Sequence, residues 1–216
     1  MGVIRVLVAD ADPVARLGLE AILTQERDIT VLAAESGAEV DTLVSRHHWD
    51  VVVLNPSLAG HDGPNSLELL RNIKRKHPRL AVLVFNGDAK DSFALRALRA
   101  GAAGYISKRA TPTELVGAVR QLAHGRRYMN QATAEELFDV LRKDSEWTAE
   151  QRLSDREYQV LCLLGSGKSV RQIAYDLRRS VRTISTHRAR ILEKLEMQTD
   201  AQVVHYVLQQ RLVEPR

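Results

Sequence analysis

Along the first 125 residues, short continuous apolar runs alternate with amphipathic stretches, while from Leu153 onward the pattern is helical throughout. The runs lie at Ile4 to Ala9, Ile29 to Ala33, Val51 to Leu54, Ala81 to Phe85 and Gly104 to Ile106, and their Val, Ile, Leu and Ala content predicts strands covered on both faces. A helical pattern follows each. In the first helix Asp12 is placed to cap and Pro13 to open the first turn, with Ala15, Leu19, Ile22 and Leu23 on one face. The fifth begins with the capping-box pattern Thr111, Pro112, Thr113, Glu114 and repeats Leu115, Ala118, Val119 and Leu122 at i, i+3, i+4 and i+7. After Leu153, a second capping box (Ser154, Asp155, Arg156, Glu157) opens a helix with Tyr158, Leu161 and Cys162 on one face, which Gly165 and Gly167 are expected to end. A short helix over Val170 to Leu177, a tight basic turn, a longer helix from Val181 to Leu195 and a last one from Ala201 to Gln210 complete the pattern.

Five βα units imply an α/β domain with a flavodoxin-like open parallel sheet, whose ligand site lies at the carboxyl ends of the strands. The four C-terminal helices have helix-turn-helix spacing and imply a separate all-α domain. The expected division is residues 1–125, a linker over 126–149 and the helical domain over 150–216. The linker contains one amphipathic stretch near Ala134 to Arg142 and is neither Gly/Ser-rich nor Pro-rich, which predicts a partly ordered connection.

A length of 216 residues suits two small domains. No apolar run approaches the roughly 20 residues of a membrane span, and the first residues carry no secretory pattern, so a cytoplasmic protein without a membrane partner is expected. Cys162 is the one cysteine, which excludes an internal disulfide and multi-cysteine zinc patterns and predicts simple burial. No metal or cofactor is expected. The net charge of +4 is unevenly placed: Lys/Arg against Asp/Glu count 15 to 14 over residues 1–125, 4 to 5 over 126–149 and 12 to 8 over 150–216. Arg178, Arg179, Arg182, Arg188 and Arg190 have no acid among them. That density suits a phosphate backbone as well as a solvated face.

The predicted strand ends present Asp10, Asn55, Asn86 and Lys108, in the segments VLVADADP, DVVVLNPSL, VLVFNGD and GAAGYISK, with Asp62-Gly63 after the third. Together these resemble the receiver domain of bacterial two-component response regulators over the whole first domain. The resemblance implies two adjacent acids for Mg²⁺ after the first strand, a phosphate-accepting aspartate after the third, Ser or Thr after the fourth and Lys after the fifth. This chain departs at three of those five positions, with Ala11, Asn55 and Asn86. A neutral amide cannot form the acyl phosphate that a carboxylate nucleophile forms. Ala11 also removes a metal ligand, leaving Asp10 alone, and Asp12 is better explained as a helix cap. Tyr105 and Lys108 match the family, and Lys108 is expected to pair with Asp10. Deamidation of Asn55 would need the backbone N–H of the next residue, which Pro56 lacks.

LSDREYQVLCLLGSGKSVRQIAYDL followed by SVRTISTHRARILEKL resembles the LuxR-type DNA-binding domain of the NarL/FixJ response-regulator family, over roughly residues 150 to 213. At 100° per residue, Ile184, His187, Ile191 and Leu195 fall on one side of the long helix, leaving Arg182, Thr186, Ala189, Arg190 and Glu193 on the other with Ser185 at its edge. By resemblance, Arg182, Ser185, Thr186 and Ala189 approach base edges of double-stranded DNA, while Arg178, Arg179, Arg188 and Lys194, with Arg190 on the same basic face, meet phosphates. His187 faces inward without a second ligand and reads as packing. Gly165-Ser-Gly-Lys-Ser169 looks like part of a nucleotide-binding loop, but Cys162 stands where the first glycine belongs and the segment follows a helix rather than a strand. No enzyme activity is expected. The family implies a homodimer, for which Val203, Val204, Val207 and Leu208 are contact or core residues. A protein partner or small ligand at the receiver stays open, and the alternative is an interaction module that modulates another regulator through its receiver-like domain.

Overall fold

The computed structural model describes residues 2–55, 58, 66–87, 91–131, 134–135, 152–210 and 212–213. The chain divides into two compact units, Met1–Phe138 and Asp139–Arg216, each with a core of its own. The first unit runs β1 (Ile4–Ala9), α1 (Pro13–Leu23), β2 (Ile29–Ala34), α2 (Gly37–Arg46), β3 (Val51–Leu54), α3 (Ser66–Lys76), β4 (Ala81–Asn86), α4 (Asp91–Arg99), β5 (Gly104–Ser107), α5 (Pro112–Ala123) and β6 (Tyr128–Met129). The six strands form one parallel sheet in the order β2-β1-β3-β4-β5-β6.

Strand side chains alternate between faces, and here both faces are apolar. Leu7, Ala9, Val52 and Leu54 pack with α2, α3 and α4 through Val40, Leu70, Ile73 and Ala97. Val6, Val8, Val51 and Val53 pack with α1 and α5 through Leu19, Leu23, Leu115, Val119 and Leu122. Double burial is why the strands read as unbroken apolar runs. Both expected caps form: Asp12 accepts from the N–H groups of Val14 and Ala15, and Thr111 and Glu114 complete a capping box.

Three strands run one residue beyond their apolar runs, to Ala34, Asn86 and Ser107. Asn86 and Ser107 are opposite each other in the β4–β5 register, because the ladder is made by backbone groups and does not require apolar side chains. A larger correction concerns residues 128–129, expected in the linker. They form β6, parallel to β5. Gly104 allows the approach, since a Cβ there would lie 2.8 Å from the Tyr128 carbonyl oxygen. Ala134 bonds back to the Asn130 carbonyl, and the rest of the expected linker helix, from 136 onward, lies outside the described residues.

In the second unit α6 (Asp155–Gly165), α7 (Val170–Asp176), α8 (Val181–Lys194) and α9 (Asp200–Gln209) enclose Leu161, Ile173, Ile184, Ile191, Val203 and Val207. Ser154, Ser169, Ser180 and Thr199 cap the four N-termini. After α6, α7 and α8 the chain turns through one left-handed residue, Gly167 (φ 83°), Arg178 (φ 48°) and Glu196 (φ 55°) respectively. In each turn the next N–H reaches back to the helix: Lys168 to the Leu163 carbonyl, Arg179 to Ala174 and Met197 to Leu192. These are Schellman closures. Gly165 is the last residue of α6, as expected, and its lack of a side chain also makes room for Val207 of α9, which a Cβ would overlap. Cys162 is half-buried rather than fully enclosed.

Gly165→Ala should therefore lower the stability of the C-terminal unit by roughly 1–3 kcal/mol through overpacking. Glu196→Gly should raise it by about 0.5–1 kcal/mol, relief of left-handed strain outweighing glycine's entropy cost. Chemical denaturation of the two variants, expected to move in opposite directions, checks both.

Candidate functional site

The strand order reverses between β1 and β3, and in open parallel sheets that switch point is where a ligand crevice forms. Asp10 leaves β1 at 1% exposure and Asn55 leaves β3 at 2%. The Asn55 N–H donates to the Ala9 carbonyl at 2.8 Å, which locks the two strand ends together. Lys108, just past β5, has its Nζ 3.3 Å from Asp10 Oδ2 and 5.7 Å from the centre of the Phe85 ring. Its backbone N–H donates to the Asn86 carbonyl. Asp10 Oδ1 accepts the Asp12 N–H at 2.9 Å, so both carboxylate oxygens are engaged.

The loop that follows is held by the chain itself. The Arg16 guanidinium donates to the carbonyl oxygens of Asp10 (2.8 Å) and Ala11 (3.2 Å) and pairs with Glu35. Asp12 accepts from Val14 at 2.8 Å as the α1 cap. Asn86 Oδ1 accepts the Gly87 N–H, and Tyr105 is buried in the core beside α4. Among the described residues no group of three His, Cys, Asp or Glu side chains could hold a metal ion. Pro56, Asp62 and Gly63 lie outside the described residues. As described, the crevice holds one carboxylate balanced by one lysine beside a neutral amide.

In the second unit α8 buries Ile184 and Ile191, is capped by buried Leu195, and half-buries His187, while Arg182, Ser185, Thr186, Ala189, Arg190 and Glu193 are exposed. The Thr186 hydroxyl donates to the Arg182 carbonyl. Arg178 and Arg179 are exposed in the turn between α7 and α8. Among the described residues Arg179, Arg182 and Arg190 make no ion pair.

Two residues expected at phosphates have partners inside the unit. Arg188 Nε lies 2.6 Å from Asp200 Oδ1. Lys194 Nζ lies 2.7 Å from Glu157 Oε2, a carboxylate buried at 2% that also accepts the Ser154 N–H at 2.7 Å. Burial pushes the Glu157 carboxyl up, but the hydrogen bonds from Lys194 and Ser154 outweigh it and hold the group below its ordinary value. Lys194 is thereby a bolt between the start of α6 and the end of α8. The sequence carried a signal for this: Glu157 serves the capping box while flanked on α6 by the core residues Val160 and Leu161. Lys168, of the segment resembling a nucleotide-binding loop, is paired with Asp176 at 2.6 Å. No helix among the described residues is long and apolar enough to cross a membrane.

Residues 6–120 match the family model described as response regulator receiver domain, and residues 151–207 match that of the bacterial regulatory proteins, luxR family. The chain belongs to the response regulators with a LuxR-type domain. It is similar to the response regulator GacA of Pseudomonas aeruginosa, with 31% identity and 98% of each chain covered. UvrY of Escherichia coli K12 is 28% identical, over 97% of this chain and 95% of that one. Among solved structures, RcsB of Salmonella typhimurium aligns with a TM-score of 0.76 at 26% identity, covering 97% of this chain and 99% of that one. RcsB from Salmonella enterica serovar Typhimurium bound to promoter P1flhDC in the presence of phosphomimetic BeF3⁻ aligns at 0.61 and 25%, covering 94% and 97%.

In this response regulator the Glu157–Lys194 pair carries a pH dependence. A carboxyl held below its ordinary value of 4.5 contributes stability that is full above that value and lost as pH falls through the folded one. Denaturation of the C-terminal unit followed from about pH 6 to pH 3 should show a steep fall at the acid end, and Glu157→Gln should flatten it while lowering stability at neutral pH.

Proposed function

We propose that this protein is a sequence-specific DNA-binding transcription regulator that acts without aspartyl phosphorylation, as a homodimer. The observation that carries the reading is Asn55 at the β3 end, beside an Asp10 whose charge is answered by Lys108. An amide nitrogen is no phosphoryl acceptor, and a Mg²⁺ ion would have to displace the lysine for a single carboxylate. DNA recognition is supported by the exposed α8 face and by the promoter-bound RcsB relative. On this reading Arg182 pairs with a guanine edge, Ser185, Thr186 and Ala189 read neighbouring bases, and Arg178, Arg179 and Arg190 position the helix on phosphates. Arg188 and Lys194 serve mainly to hold α8, given their partners. A homodimer follows from the two half-sites that helix-turn-helix proteins usually read.

Acetyl phosphate with Mg²⁺ should leave no label on the intact protein by mass spectrometry, and stoichiometric labelling would sink the reading. Asn55→Asp alone should restore little, since Ala11 still supplies no second carboxylate. Genome-wide footprinting should show specific occupancy for the unaltered chain and its loss for Arg182→Ala, with affinity for the recovered sites down roughly ten- to a hundredfold. Identical occupancy by both would favour an interaction module instead.

A further inference from the structure

Tyr175 is 85% exposed, the most exposed large hydrophobic side chain among the described residues. Nothing in its own unit covers it, and its hydroxyl makes no hydrogen bond among the described residues. It lies on α7, the first helix of the helix-turn-helix pair, one turn after the exposed Arg171 and four residues before the exposed Arg179, which follows the left-handed Arg178. Arg179 is folded back over the end of α7 by the bond from its N–H to the Ala174 carbonyl at 2.9 Å.

Among the described residues neither arginine makes an ion pair. Arg171 occupies the first turn of a helix, where the peptide dipoles disfavour a cation, and no acid in that turn offsets it. The sole acid on α7, Asp176, is largely covered and held by Lys168 at 2.6 Å. In the sequence the phenol thus stands between two exposed arginines that make no ion pair among the described residues, and the one acid of α7 is already held by Lys168.

We propose that Arg171, Tyr175 and Arg179 form a sequence-independent clamp on one DNA strand beside the groove that α8 enters, the Tyr175 hydroxyl donating to a phosphate oxygen. The inference rests on the DNA-binding reading above. A phosphate oxygen accepts from both a phenol and a guanidinium, and in helix-turn-helix docking the first helix crosses the backbone. An apolar protein surface would bury the two arginines without an acceptor, which is costly.

The test uses the full-length protein with two probes, a duplex selected by this protein from a random library and a shuffled duplex of the same composition, titrated across a range of KCl. Tyr175→Ala should weaken binding to both about tenfold and Tyr175→Phe by nearly as much, as expected for loss of one hydrogen bond to a charged group. The ratio between the two probes should not change. Neither tyrosine variant should alter the slope of log K against log salt, while Arg171→Ala and Arg179→Ala should each reduce it by about 0.9. Arg182→Ala, by contrast, should lower the ratio. If Arg182→Ala lowers the ratio but Tyr175→Ala binds both probes like the unaltered chain, the clamp is overturned while the DNA reading stands. Reduced transcription from the selected site in that case would assign Tyr175 to a protein contact. If Tyr175→Phe binds like the unaltered chain while Tyr175→Ala does not, the hydroxyl–phosphate bond is overturned. If Arg182→Ala also changes nothing, the DNA reading itself fails.

Discussion

A carboxylate with 1% exposure at the end of a central strand has to be answered by a cation, and the answer to Asp10 comes from 98 residues further along the chain. Lys108 reaches back from the β5 end, so one ion pair ties the first strand of the sheet to the loop before α5. Loss of the lysine would leave a buried charge with only the Asp12 N–H in support, a far larger penalty than loss of a surface pair. The second unit repeats the device. Glu157, equally enclosed, is met by Lys194 from 37 residues away, and the start of α6 is thereby fastened to the end of α8.

These fastenings divide the basic residues by work. Lys108, Lys168, Arg188 and Lys194 each have a carboxylate within 3.3 Å and hold the fold. Arg171, Arg179, Arg182 and Arg190 have none among the described residues and are exposed around α7 and α8. On the proposed reading α8 presents side chains to base edges, and such a helix needs fixed ends more than it needs charge. For α8 these are supplied by the Ser180 cap at one end and Lys194 at the other, with Arg188 bridging to Asp200, the first residue of α9. Rigidity comes from the paired cations, and on the proposed reading the others are the ones that meet an external anion.

Much of this was readable from the chain because burial leaves a periodic trace. The five long strands, both helices of the α1–α5 face and all four C-terminal helices follow from apolar spacing and capping residues. So does the inward face of α8, Ile184 and Ile191. What escaped has no such trace. β6 is two residues long, too short for any period, and depends on the missing side chain of Gly104, a distant position. Gly165 does close α6, but its second role, packing against Val207, leaves no mark in one dimension. Lys194 looks available until Glu157, 37 residues earlier, is brought to it by the fold. Pairing across the sequence is tertiary information, and composition can only count the charges it distributes.

With acids at positions 10, 11 and 55, three negative charges would converge at the switch point, a cluster that burial and mutual repulsion would keep partly protonated without a divalent cation. With Ala11 and Asn55 the crevice holds, among the described residues, the Asp10 carboxylate paired with Lys108, and Arg16 secures the carbonyls of Asp10 and Ala11. Neutrality at 55 and at 11 therefore act together. A carboxylate restored at 55 alone would be buried near Asp10, whose charge Lys108 already answers, and its charged, nucleophilic form would be disfavoured. Asp10 and Lys108 thus have a structural reason to be present whether or not any phosphate ever arrives, and their match to the family pattern is no sign of phosphoryl chemistry. On the proposed reading, the residue that decides that chemistry is Asn55.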